Sequence, residues 1–135
     1  MHHLHFNLLA LFASACMLWF LGALWYSPVL FAKPWMAMIA VPEEGKKQKM
    51  LSGMISSFFG DLVLSFVLAH FVLWARAENF AHGAFIGFLA WFGFIASPLF
   101  PQGIYEGRPT RLFWINAGYW LVGLLLAGGL LAVWR

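Results

Sequence analysis

The chain is written as long unbroken apolar runs separated by short polar connections. Four runs stand out: Phe6 to Tyr26, Leu51 to Trp74, Phe80 to Phe100 and Leu112 to Trp134. Each is close to the roughly 20 residues that an α-helix needs to cross a ~30 Å hydrocarbon core. Strands of a membrane barrel would be shorter and would alternate apolar with polar positions. The runs are continuous, so they predict helices. The expected architecture is all-α: a polytopic membrane protein with four transmembrane helices in an up-down bundle. Residues 1–135 then form one integral membrane domain, with no room for a separate soluble one. Among Asp, Glu, Lys and Arg, only Asp61 falls inside a run.

The first connection carries a pattern of its own. Val29 to Val41 is apolar apart from Lys33, is too short to span, and contains Pro34. Proline is well placed in the first turn of a helix. The reading is a short interfacial helix over Pro34 to Val41, followed by a solvated turn from Pro42 to Lys47.

Composition then excludes several classes. Of 135 residues, 63% are hydrophobic and 10% are charged, against about 25% charged in an average soluble chain. A soluble globular domain, a disordered tail and a nucleic-acid-binding module are all excluded. A net charge of +3 is too small to restore the last of these. The expected partner is the lipid bilayer, and the 19% of aromatic residues suit its interfaces. The single cysteine, Cys16, excludes a disulfide within one chain. The first run has no Lys or Arg ahead of it and continues past Cys16 to Tyr26. It therefore reads as a retained helix rather than a signal peptide.

Basic residues give an orientation. Lys33, Lys46, Lys47 and Lys49 follow the first span, and Arg108 and Arg111 follow the third. Arg76 and Arg135 lie on the other side. The positive-inside rule places both larger loops in the cytoplasm and both termini outside. Trp25, Trp35 and Trp114 then mark the inner boundary, and Trp74 and Trp134 the outer one. Trp19, Trp91 and Trp120 lie deeper and are expected between helices.

Asp61 is the leading candidate for chemistry. It sits near the midplane, where a carboxylate costs about 2.5–3.5 kcal/mol by insertion scales. Desolvation there favours the neutral acid. Gly53, Ser57, Asp61, Ser65 and Ala69 recur every four residues, which suggests one inward, closely packed face. Gly83 and Gly87, then Gly93 and Ser97, read as packing faces on the third helix, and Gly123 and Ala127, and Gly128 and Ala132, as packing faces on the fourth. Depth counting offers Trp91 and Tyr119 as hydrogen-bond donors to Asp61. The intramembrane polar site is thus Asp61, Ser57, Ser65, Trp91 and Tyr119. It acts either as interhelical glue or as a proton or cation site.

No metal or other cofactor is expected. His70 and His82 fall near the predicted outer side with His2, His3 and His5. They are the candidates for a metal, but no spacing among them forms a defined metal motif, and polar capping explains them more simply. Nucleophile elbow, phosphate loop, zinc-protease motif and redox cysteine pair are all missing from the sequence. The chain does not read as an enzyme.

A second polar cluster lies at the predicted cytoplasmic ends of the helices. Tyr26 closes the first run, and Asn116 opens the fourth. Between the third and fourth runs come Glu106 and Arg108, which can pair with each other. This cluster braces the bundle or lines a pocket.

Two of these segments carry a resemblance. Gly22-Ala23-Leu24-Trp25-Tyr26-Ser27-Pro28, with Leu30, Phe31, Trp35 and Met36, is one. Glu106-Gly107-Arg108-Pro109, then Leu112-Phe113, Ile115-Asn116 and Gly118-Tyr119, is the other. Together they resemble the signatures of an uncharacterised bacterial membrane family, the domain of unknown function numbered seventeen sixty-one. The resemblance implies a small four-helix protein of the bacterial inner membrane. It implies no activity, cofactor or site. Function is therefore read from the residues: a small membrane protein that transports or conducts a small solute or ion, as a homo-oligomer. The alternative is an accessory or structural subunit bound to partners in a larger membrane complex.

Overall fold

A computed structural model describes residues 7–39 and 44–134. The described chain is helical, with no strand, and four of its helical stretches are long and apolar enough to cross a membrane. The all-α, polytopic architecture is the observed one.

Helix α1 spans Leu8–Trp25 and is started by Asn7, whose side-chain oxygen accepts from the Leu9 and Ala10 N–H groups. Asparagine is a favoured residue at this position because it satisfies donors that the first helical turn leaves free. The short helix α2 covers Ala32–Met38. It starts two residues ahead of the expected Pro34, which lies inside its first turn. Ala40 and Val41, the expected end, lie outside the described residues.

Helix α3 runs unbroken over Lys46–Trp74. It begins five residues before the apolar run at Leu51 because Lys46, Lys47, Gln48 and Lys49 are all good helix formers. Gly45, at φ 77°, supplies the left-handed turn that admits the chain to the helix. At 1.5 Å per residue α3 is roughly 44 Å long, so its lysine-bearing end outruns the hydrocarbon core.

The third span continues to Tyr105, past the expected end at Phe100. It consists of α4 (Phe80–Trp91), a π-helical turn (Phe92–Ala96) and α5 (Ser97–Tyr105). Pro98 does not end it, since a proline is tolerated in the first turn of α5. Pro101 lies further inside α5. The wider π turn comes directly before both prolines, where the regular hydrogen-bond ladder must change. Helix α6 covers Thr110–Val133.

The helices pair unevenly. The most extensive packing is α4 with α6, followed by α1 with α3. α6 also meets α1 and α3, whereas α3 and α4 touch little despite their short connection. The α4–α6 seam is built on glycine. A Cβ added at Gly83 would overlap the Gly128 carbonyl oxygen, and one at Gly87 would overlap that of Leu124. The two backbones are therefore in direct contact, as small residues in membrane helices allow.

The stripe on α3 behaves differently. Asp61, Ser65 and Ala69 are buried, but Gly53 and Ser57 are exposed, and a Cβ at Gly53 or Gly60 would meet only open space. The expected inward face therefore starts at Asp61. On the third span, Gly93 and Ser97 are exposed too, so the packing face there is confined to Gly83 and Gly87.

Burial runs opposite to that of a soluble protein. Phe20, Phe59, Phe92 and Phe94 each expose more than 60% of their surface. Leu18, Val72, Ala15 and Ala127 form the sealed interior. Outward phenylalanines are stable only against an apolar medium, so the bundle is an integral membrane protein.

Candidate functional site: a buried acid and a polar end cluster

Asp61 lies near the middle of α3 and is 2% exposed. Its Oδ2 is buried without a hydrogen-bond partner in the described protein. One turn on, the Ser65 hydroxyl lies 2.8 Å from the Ser14 hydroxyl of α1, with both side chains fully buried. Tyr119 of α6 is also buried, with its hydroxyl directed to α1. Three helices thus bring a carboxyl, two hydroxyls and a phenol into the bundle interior.

The expected donors to Asp61 are engaged elsewhere. The Trp91 indole N–H donates to the Ala117 carbonyl at 2.7 Å. The Tyr119 hydroxyl donates to the Leu18 carbonyl at 2.7 Å. Both side chains lock one helix to the backbone of another, because an indole or phenol at this depth must find an acceptor. Ser57 lies one turn before the acid on the same helix but is exposed. Of the five residues expected at this site, Asp61 and Ser65 share a buried face, Tyr119 and Trp91 are buried but committed to backbone carbonyls, and Ser57 is exposed. Ser14 is the member that sequence reading missed. The available signal was a lone hydroxyl in the middle of an otherwise apolar run.

The two family-like segments interlock at one end of the bundle. Tyr26 Oη donates to Asn116 Oδ1 at 2.7 Å, and the Trp25 indole donates to the Ile115 carbonyl at 2.9 Å. The rings of Tyr26 and Trp35 lie 4.9 Å apart between centroids, and those of Trp25 and Phe31 likewise. Two glycines permit this contact. A Cβ at Gly118 would come within 3.2 Å of Trp25, and one at Gly22 within 3.0 Å of the Tyr119 hydroxyl.

Beside this joint, between the end of α5 and the start of α6, lies a pocket of about 90 Å³. Gln102, Glu106, Arg108, Thr110 and Asn116 give it polar groups, and Phe100, Leu112 and Phe113 give it apolar walls. Arg108 Nε and a Glu106 carboxylate oxygen pair at 2.8 Å, and Gln102 Nε2 donates to the same carboxylate at 3.1 Å. Glu106, Arg108 and Asn116 therefore share one pocket, and Tyr26 holds Asn116 from behind.

The end-to-end interlock of the two segments fits a match over nearly the whole chain. The chain belongs to the family described as protein of unknown function (DUF1761). The family model covers residues 9–132. No curated protein and no solved structure is significantly similar to the chain. Membership in DUF1761 therefore places the chain without assigning it a reaction or a ligand.

His70 and His82 are not part of either cluster. The His70 Nδ1 is 2.8 Å from the Phe66 carbonyl, and its ring packs edge-on against Phe66 and Trp74. The backbone N–H of His82 is capped by Asn79. Among the described residues no group of three or more His, Cys, Asp or Glu side chains could hold a metal ion. His2, His3 and His5 lie outside the described residues.

Proposed function

We propose that the protein transports or conducts a small solute or ion through the bundle, with Asp61 as the protonatable site on the path. The observation that carries this reading is the buried Asp61 oxygen without a partner. An acid that served only to join helices would be expected to make a hydrogen bond, since leaving a buried acceptor unmade costs about 1–3 kcal/mol. An acid that binds and releases a proton or cation needs an open valence. Intramembrane acids are functional candidates for the same reason.

In this reading the protein has no catalytic residue and works as a homo-oligomer in a bacterial inner membrane. The lysines of the first connection and Arg108 and Arg111 of the last favour a cytoplasmic location for that face. The test is flux through proteoliposomes carrying wild type or Asp61→Asn. Proton or monovalent-cation flux is expected with wild type and should fall at least about tenfold in the variant, the loss of an interaction worth ~1.4 kcal/mol. Equal flux in both would reject the role of Asp61.

A second reading is an accessory subunit of a larger membrane complex. It is favoured by the third span, whose most apolar stretch is only 11% buried within the bundle. Native mass after mild solubilisation separates the two. A homo-oligomer supports transport, and a stable heteromeric assembly supports the accessory role.

A further inference from the structure

We propose that the pocket between α5 and α6 binds the headgroup of a zwitterionic aminophospholipid, with Arg108 on its phosphate and Glu106 on its primary ammonium. This assignment is independent of the transport reading, since it involves neither Asp61 nor a path across the membrane.

Position gives the first argument. The pocket joins the end of one span to the start of the next, the level at which headgroups meet a membrane protein. Its volume of about 90 Å³ is several times the roughly 10–15 Å³ that one water requires. That is room for a small headgroup.

Charge gives the second. The pocket presents one cation and one anion side by side, 2.8 Å apart. A ligand that matches both must carry both charges close together. In an aminophospholipid, two carbons separate the phosphate ester from the ammonium. The Arg108 guanidinium is a planar fork suited to phosphate oxygens. A primary ammonium offers three donors to the Glu106 carboxylate, whereas a trimethylated one offers none. An anionic headgroup without an amine would set its phosphate against Glu106.

The internal pair does not stand in the way. Its side chains are 60% and 41% exposed, and exposed pairs of this kind contribute little to stability. Binding replaces that one pair by two, Arg108 with the phosphate and Glu106 with the ammonium. Gln102 holds the carboxylate in place during the exchange.

The walls give the third argument, and they favour a lipid over a free phosphoamine. Phe100 and Ile104 line the pocket and are 42% and 65% exposed. They offer acyl chains an apolar surface next to the charged pair.

The experiment is native mass spectrometry of the full chain in mild detergent. It is titrated with phosphatidylethanolamine, phosphatidylcholine and phosphatidylglycerol of matched chains, and with soluble phosphoethanolamine. Phosphatidylethanolamine should bind at least about tenfold more tightly than the other three, as expected for one charge-assisted hydrogen bond. Glu106→Gln should remove the preference over phosphatidylcholine. Arg108→Gln should weaken all three lipids, and Arg108→Lys should retain binding, which separates lost charge from lost fold. Equal binding of the three lipids would overturn the proposal, as would an undiminished preference in Glu106→Gln. Soluble phosphoethanolamine binding as tightly as the lipid would overturn the lipid assignment.

Discussion

Ser14 on α1 and Ser65 on α3 face each other with their hydroxyl oxygens 2.8 Å apart, and neither is accessible from outside the bundle. Each hydroxyl satisfies the other, so the pair behaves as a unit. Ser14→Ala or Ser65→Ala alone should cost about 1–3 kcal/mol, because the remaining hydroxyl is left unpaired. The double variant should cost clearly less than the sum of the two. Unfolding in detergent, read as a double-mutant cycle, checks this. Strict additivity would show that the two hydroxyls do not interact.

Asp61 contributes the opposite term. Its buried, unpartnered oxygen is a standing cost to the fold. Replacing it by an apolar residue of similar size, Asp61→Val, should raise stability by about 1–3 kcal/mol. The measurement is the thermal midpoint in detergent. A lower midpoint would mean that the carboxyl has a stabilising partner.

Glycines on the third span should separate into two groups. Gly87→Ala forces a side chain onto the Leu124 backbone and should destabilise by roughly 1–3 kcal/mol or more. Gly93→Ala meets open space and should be neutral or stabilising by up to about 1 kcal/mol. Thermal midpoints of the two variants, compared side by side, decide it. Equal losses would argue against the close α4–α6 seam.

At the end cluster, Tyr26→Phe removes the donor to Asn116 without changing ring packing. The expected loss is about 0.5–1.5 kcal/mol. The same change in an Asn116→Ala background should have a smaller effect. If it costs as much there, the bond between them contributes nothing.

Much of the fold was legible because lipid imposes a strong rule on sequence. A span must be apolar throughout, and charges crowd into the connections, so the four crossings follow from where Lys and Arg stand. The ends were less legible. Lys46 to Lys49 are polar and helical at once, and Pro98 and Pro101 look like terminators until the π turn is seen. Asp61 was visible as the one carboxylate out of place. Its surroundings were not, because depth along a helix says nothing about rotation around it. Trp91 and Tyr119 stand at a suitable depth but donate to carbonyls of Ala117 and Leu18. Ser57 shares a four-residue spacing with Asp61, yet the packed face begins only at the acid.

The glycine contact between α4 and α6 also bears on how the bundle could move. Where backbone meets backbone, no side chain can change rotamer to produce a second arrangement, and alternative states need surfaces that can repack. That pair is a fixed post. The seams of α1 and α3 against α6 are filled by side chains such as Leu18, Leu68 and Leu124, which can exchange one packing for another. Asp61 is carried by α3, one turn from the Ser14–Ser65 contact with α1, and not by the fixed pair, so a gate that admitted anything to the acid would be hinged on α1 and α3.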